Sequence, residues 1–178
     1  MDLRRLKVET LDLHREAERH VRIFDADATE ETYARYLERL LGVHAPMEAA
    51  FVAHADLARV GFDPARRRRA DLLCADLVSL GKDPAKAPTC ASLPDIADLS
   101  RALGAAYVLE GSALGGPFVI AKVRYAVPTR YLRGYGRDTG PLWKRFGAIV
   151  AAEVADAEAC VAAARELFAA LIGWLEAT

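Results

Sequence analysis

The sequence contains few cysteines, and the three present form no recognisable site. Cys74, Cys90 and Cys160 are odd in number and far apart, and none belongs to a Cys-x-x-Cys pair. This pattern argues against a disulfide framework and against a zinc site of the usual ligand spacing. We therefore expect ordinary thiols in a reducing compartment.

The sequence also lacks an excess of charge and a long apolar run. It carries 24 basic and 25 acidic residues, a net charge of −1, so a nucleic-acid partner is not expected. No segment approaches the roughly 18 consecutive apolar residues of a membrane span. The chain opens on charged residues, among them Arg4, Arg5 and Lys7, rather than on a signal peptide. We expect a cytoplasmic protein without a membrane partner.

Strand-like alternation is missing as well, whereas helical periodicity runs through most of the chain. The 178 residues, 53% of them hydrophobic, suffice for one core, so the sequence predicts a single all-α domain over residues 1–178. The first predicted helix spans about 2–21, and the second begins near residue 30 and is kinked at Pro46. The later helical segments are predicted at 64–81, at 94–127 with an interruption at 111–117, and at 141–174. Residues 82–92 and 128–140 are expected to be irregular.

The first predicted helix carries a candidate iron ligand. His14 could bind heme iron through a neutral imidazole, and Glu18 lies one turn later on the same face, where its carboxylate could hold the second ring nitrogen. Lys7 precedes His14 by two turns, about 10.5 Å along the axis. That distance suits a contact with a heme propionate. A lone histidine on such a helix is more often an ordinary surface residue, but the joint spacing favours the functional interpretation.

The second candidate segment is rich in glycine. Gly111 and Gly115 lie on one face of a helix, as do Ser112 and Gly116, and each glycine costs a helix up to about 1 kcal/mol relative to alanine. A stripe without Cβ atoms lets a flat ligand lie close to the backbone. Pro117 is expected to bend the helix and to free a carbonyl. Contact between two helices through Gly-x-x-x-Gly is the alternative explanation.

Together these segments resemble the proximal and distal walls of heme oxygenases. They are most similar to the small bacterial, biliverdin-producing type associated with bacteriophytochromes, whose distal segment reads close to Glu-Gly-Ser-x-Leu-Gly. The resemblance covers most of the chain and implies a heme-oxygenase-like helical bundle with a kinked distal helix. It implies that heme is both substrate and cofactor. It also implies that His14 is the axial iron ligand, with Lys7 at a propionate and Glu18 supporting the histidine.

The resemblance assigns the distal residues too. Gly111, Ser112 and Gly115 would form the catalytic wall that orders water near the iron, and Gly116 would contact the cofactor. Animal-type enzymes have an aspartate where this chain has Ser112. A hydroxyl can still order water, although it carries no charge.

A third similar stretch runs from residue 130 to residue 146 and ends in Thr-Gly-x-x-Trp-x-x-Phe. Its aromatic residues would pack beside the heme, and Lys144 is a candidate for a second propionate contact. Arg124 and Tyr125 are weaker candidates for cofactor binding. The run of four arginines at 66–69 is expected to be a solvated helical turn, with docking of an acidic redox partner as the alternative.

The resemblance implies cleavage of heme with dioxygen to biliverdin, carbon monoxide and iron. Electrons would come from an external ferredoxin or flavin reductase, since the sequence has no Gly-rich dinucleotide fingerprint. A bacteriophytochrome is a possible recipient of the product, and iron acquisition is equally compatible.

A di-iron oxidase is disfavoured because no histidine follows a glutamate by three residues. A thiaminase is disfavoured because Cys160 has no nearby histidine to activate it as a nucleophile. A heme carrier or sensor that uses the same pocket stays open.

Overall fold

The computed structural model describes residues 1–177, and all regular structure within them is helical. They contain eight α-helices and four short 3₁₀ turns. The α-helices are α1 (Leu3–Glu9), α2 (Leu11–Arg19), α3 (Glu30–Ala53), α4 (Ala55–Arg59), α5 (Ala70–Ser79), α6 (Leu99–Lys122), α7 (Thr139–Glu153) and α8 (Ala157–Glu176). The all-α prediction is thus correct for the part of the chain described.

The central helix α6 forms the core of the bundle. Asp98 caps its first turn by accepting from the Arg101 amide, and alanines and leucines fill its buried face. It crosses α8 at Gly104, where a Cβ would lie 2.0 Å from the Cys160 carbonyl oxygen, so only glycine allows this close approach. Although α6 is long and apolar enough to span a membrane, half of its most apolar window is buried inside the protein.

Both long helices contain an internal proline. Pro46 lies inside α3, which begins at a capping box formed by Thr29 and Thr32. Pro117 lies inside α6, which continues to Lys122, so the interruption predicted at 111–117 is not a break in the helix. Neighbouring packing therefore supports helical backbone through both prolines, even though each removes an amide donor.

The first predicted helix is in fact two helices. Thr10 adopts φ −118° and ψ 2°, which ends α1 and starts α2 at a new angle, so a single helix over 2–21 is wrong. The Thr10 hydroxyl donates to the Leu6 carbonyl at 2.7 Å instead of capping α2. This break sets the direction of the helix that carries His14.

The arginine run is not a solvated helical turn. A 3₁₀ turn occupies Ala65–Arg67, and α5 begins only at Ala70. Arg66 and Arg68 are exposed and paired with Asp138 and Asp71, whereas Arg67 and Arg69 are buried. Two of the four cations thus point into the protein, behind α6, where they cannot dock a partner.

Candidate functional site

The candidate proximal wall is α2, and it lies along α8. The His14 side chain is 54% exposed, with its Nδ1 3.7 Å from Glu18 Oε1. The Phe168 ring of α8 meets the imidazole edge-on, with ring centroids 5.8 Å apart. The structure thus brings His14 and Glu18 together on one accessible face. Lys7 lies in the last turn of α1 and is exposed.

Polar contacts run between the N-terminal helices and α8. Arg5 pairs with Glu158 and Asp12 with Arg165, and His20 Nε2 lies 3.4 Å from Glu176 Oε1, so the helices run side by side in the same direction. The hydrogen bonds from Arg165 lower the pKa of the Asp12 carboxyl to about 2. Asp12 is therefore a carboxylate across the ordinary pH range.

The candidate distal wall is the exposed face of α6. A Cβ built on Gly115 meets no described atom within 4 Å, and one on Gly111 touches only the Trp143 ring, at 3.8 Å. Leu114 and Phe118, on the same side of the helix, are 44% and 60% exposed. An open, apolar strip with two bare glycines therefore runs along the second half of α6.

The two walls share a base. Both α2 and α6 pack on α8. Thr10, at the start of α2, is buried, and Tyr107 of α6 is partly buried. One turn further along each helix, His14 and Gly111 retain exposed surface. Each candidate wall therefore rests on α8 and keeps an accessible residue.

One of the predicted cofactor contacts needs correction, and a second residue already has a protein partner. A Cβ on Gly116 would lie 1.7 Å from the Leu132 carbonyl oxygen, so this glycine packs the helix against the loop that follows it rather than opening toward a ligand. The Tyr125 hydroxyl donates to the Ile23 carbonyl at 3.2 Å and serves the packing of a neighbouring loop. Arg124 and Lys144 are both exposed, as a propionate contact would require.

The Ser112 hydroxyl is already held by two partners. It donates to the Leu109 carbonyl at 2.7 Å and accepts from Nη2 of Arg69 at 2.6 Å. The same guanidinium also bonds the Leu109 carbonyl. Because a hydroxyl oxygen has two lone pairs, Ser112 can accept one further hydrogen bond, for example from a water on the open side.

A buried histidine and carboxylate stand behind this serine. His44 Nδ1 lies 2.9 Å from Glu48 Oε1, and its Nε2 lies 3.0 Å from the Tyr131 hydroxyl. Glu48 also accepts from the backbone amides of Arg69 and Ala70. Burial lowers the pKa of His44. Burial alone would raise the pKa of Glu48, but the hydrogen bonds from His44 and the two amides hold it below its usual value. A neutral imidazole beside a carboxylate fits both shifts.

A second buried pair adjoins the first. Arg67 Nη1 donates to Glu110 Oε2, and the Tyr135 hydroxyl donates to Glu110 Oε1 at 2.7 Å. Burial raises the pKa of Glu110 against the opposing effect of Arg67. A cavity of about 10 Å³, enough for one water, lies among these residues and His44, Glu48 and Arg69. The polar groups behind α6 thus form one nearly continuous network.

Sequence reasoning did not find this network. The His44 and Glu48 pair carries a signal, since the two residues are four apart on one helix. Arg67 and Arg69 gave no usable signal, because their partners Glu110 and Ser112 lie about forty residues away in the chain. Among residues 1–177, no group of three or more histidine, cysteine and carboxylate side chains converges as a metal site.

Comparison with known proteins decides the family. The heme oxygenase family model matches residues 2–177. The chain belongs to the heme oxygenase family. Its fold is similar to a heme oxygenase from Neisseria meningitidis, solved in NO- and CO-bound forms, with a TM-score of 0.82 over 98% of this chain and 89% of that one. The two sequences are 22% identical, so the likeness shows the fold alone. No curated protein matches the chain.

Proposed function

We propose that this member of the heme oxygenase family opens heme to biliverdin and releases iron and carbon monoxide. Heme is both the substrate and the group whose iron activates dioxygen. The reaction takes electrons from an external donor, for which a ferredoxin or a flavin reductase is suitable. The products serve either a bacteriophytochrome or iron acquisition. The protein works in the cytoplasm.

The observation that carries this proposal is the open glycine strip of α6 combined with an accessible histidine on α2. A Cβ at Gly115 would have no protein neighbour, so the missing side chain is not explained by packing among the described residues. Glycine in a helix is unfavourable by about 1 kcal/mol without such a reason. A planar ligand lying against α6 would supply the reason, and heme is a planar ligand whose iron an imidazole can bind.

On the proximal side, three residues of this chain have distinct roles in the proposal. His14 binds the iron through one ring nitrogen. Glu18 accepts from the other nitrogen, which fixes the tautomer and makes the imidazole more electron-rich. Lys7, exposed two turns earlier, pairs with a propionate, because a carboxylate at the edge of an apolar slot is costly without a cation. Arg124 and Lys144 are further candidates for this pairing.

On the distal side, Ser112 holds a water on its open face. Its two protein partners fix the oxygen, and the remaining lone pair accepts from that water. Arg69 donates to Ser112 and brings positive charge under the helix, while Ser112 stands where animal-type enzymes have a carboxylate. Gly111 and Gly115 keep side chains away, so that the water and dioxygen have room.

A heme carrier would share the proximal residues but would not open the ring. The test is a single turnover: the ferric heme complex is reduced by ascorbate in air, then again with a ferredoxin and its reductase, while biliverdin and iron are both quantified. We expect stoichiometric biliverdin from the wild type. Intact heme under both conditions would leave only the carrier function.

Ser112→Ala sharpens the same experiment. We expect heme affinity to stay within a few-fold, while biliverdin formation slows or the heme is damaged without clean opening, since water at the iron loses its anchor. The exposed Ser79→Ala serves as control, because Ser79 lies on α5 and bonds Ala75 and Arg130. Equal turnover of Ser112→Ala and wild type would remove Ser112 from the mechanism.

A further inference from the structure

The helix that carries His14 is weakly anchored in the core. Every side chain of α2 that the structure describes retains some exposure, and its apolar residues Leu13 and Ala17 are only partly buried. Its N-terminus has no side-chain cap, since the Thr10 hydroxyl bonds back to Leu6. Hydrophobic burial alone therefore gives little control over the direction in which His14 points.

One guanidinium bridges the break between α1 and α2. Arg165 of α8 donates from Nη1 and Nη2 to the two carboxylate oxygens of Asp12, at 2.8 and 2.9 Å. Nη1 also donates to the backbone carbonyl of Glu9. Glu9 is the last residue of α1 and Asp12 lies in the first turn of α2. The planar guanidinium thus contacts both sides of Thr10 at once, which fixes their relative orientation.

The same face of α8 also touches the histidine. Phe168 follows Arg165 by three residues, so the two side chains are neighbours on α8. The Phe168 ring packs edge-on against His14. Within α2, the His14 amide donates to the Thr10 carbonyl at 2.9 Å, so the histidine belongs to the first turn after the break. A change in the angle at Thr10 therefore moves the imidazole directly.

We propose that Arg165 is a positioning residue for His14, which clamps Glu9 and Asp12 across the helix break and so sets the direction of the imidazole. The inference rests on the proposed role of His14 as iron ligand. Arg165 itself touches neither the iron nor the porphyrin in this account. Its effect on the ligand passes through the backbone of α2 and through the wall that α8 provides.

The clamp is separable from overall stability. The Arg165 and Asp12 side chains are 40% and 61% exposed, and exposed ion pairs contribute little to the folding equilibrium. A control lies beside it: Glu166 of α8 pairs with Arg101 of α6 away from α2, with the two side chains 48% and 21% exposed. Arg101→Ala removes a comparable pair without touching the helix break.

The experiment compares wild type, Arg165→Ala, Arg165→Lys and Arg101→Ala in two measurements. Amide hydrogen exchange of residues 12–19 is followed in the heme-free protein, and the iron–histidine stretching band is recorded in the ferrous heme complex by resonance Raman spectroscopy. We expect exchange in α2 to rise about fivefold in Arg165→Ala, with α6 unchanged. The iron–histidine band should shift or broaden. Lysine reaches one acceptor at a time, so Arg165→Lys should recover only part of both signals.

Unchanged exchange in α2 and an unchanged iron–histidine band in Arg165→Ala would overturn the clamp. Equal changes in Arg101→Ala would overturn it too, because the effect would then be general. If wild type shows no histidine-ligated heme, the role of His14 falls, and exchange in the heme-free protein still decides whether Arg165 fixes α2.

Discussion

The helices that carry the two candidate walls, α2 and α6, are held in opposite ways. Exposed ion pairs to α8 hold α2, and its side chains all keep some contact with solvent. By contrast, α6 is surrounded by protein along its first half, and its second half rests on buried charges, with Arg67 and Arg69 beneath it. Substitutions on α2 should therefore remove the proposed chemistry without unfolding the protein. Substitutions on α6 should change chemistry and stability together.

Arg67→Ala should have the largest effect. It leaves Glu110 buried without its cation, and such a change typically costs about 3–5 kcal/mol of unfolding free energy. Urea unfolding followed by circular dichroism gives the value. The adjacent Arg66→Ala is the control, because the Arg66 pair with Asp138 is about half exposed and should change stability by about 1 kcal/mol or less. Similar losses in both variants would contradict the claim that α6 rests on the buried Arg67–Glu110 pair.

The next largest effects on stability are expected at the two neighbouring glycines of α6, and they should differ between the two positions. Gly116→Ala forces a methyl group into the Leu132 carbonyl and should cost roughly 1–3 kcal/mol, as overpacking does. Gly115→Ala should instead leave stability unchanged or raise it by up to about 1 kcal/mol, since alanine is the better helix former. Thermal unfolding of the heme-free variants measures both.

The bulkier Gly115→Leu then tests the ligand face directly. Heme affinity should collapse, because leucine side-chain atoms would occupy the space proposed for the porphyrin. A destabilised Gly115→Leu protein that still binds heme would favour the helix-contact explanation of these glycines.

The buried His44 should make the unfolding free energy depend on pH. Burial depresses the pKa of His44 below the ordinary value of 6.5, so below that pH the unfolded chain binds the proton more readily than the folded one. The stabilisation is therefore present above pH 6.5 and is lost as the pH falls from there toward the folded pKa. We expect unfolding free energy to drop as the pH falls below about 6.5, with a shallower slope in His44→Gln. Equal slopes would exclude His44 as the cause.

The smallest expected effect on stability is that of His14→Ala. The imidazole is about half exposed, so its removal should change unfolding free energy by no more than about 0.5 kcal/mol. Urea unfolding of the heme-free protein checks this. A loss of about 2 kcal/mol or more would show that α2 is coupled to the core after all.

The sequence was most informative where the pattern is local. Helical periodicity predicted the all-α fold, and the four-residue spacing of His14 and Glu18 predicted their contact. It was least informative where the partner is distant. The break at Thr10 could not be foreseen from the local pattern, and the Arg165 side chain that bonds Glu9 beside it lies more than 150 residues later.

The glycine strip illustrates the same limit. Gly115 and Gly116 look alike in the sequence, and both were assigned to the ligand. Only the position of Leu132 shows that one of them packs against a loop while the other faces open space. Helical phase alone separates the two residues by 100°, but it does not say which direction is solvent.

The central claim is that His14 binds the iron of heme held against the open face of α6. Titration of ferric heme into wild type, His14→Ala and His20→Ala, followed by the Soret band, tests it most directly. We predict a histidine-ligated spectrum in wild type and His20→Ala, its loss in His14→Ala, and partial recovery on adding imidazole. A wild-type spectrum in His14→Ala, or its loss only in His20→Ala, would contradict the claim.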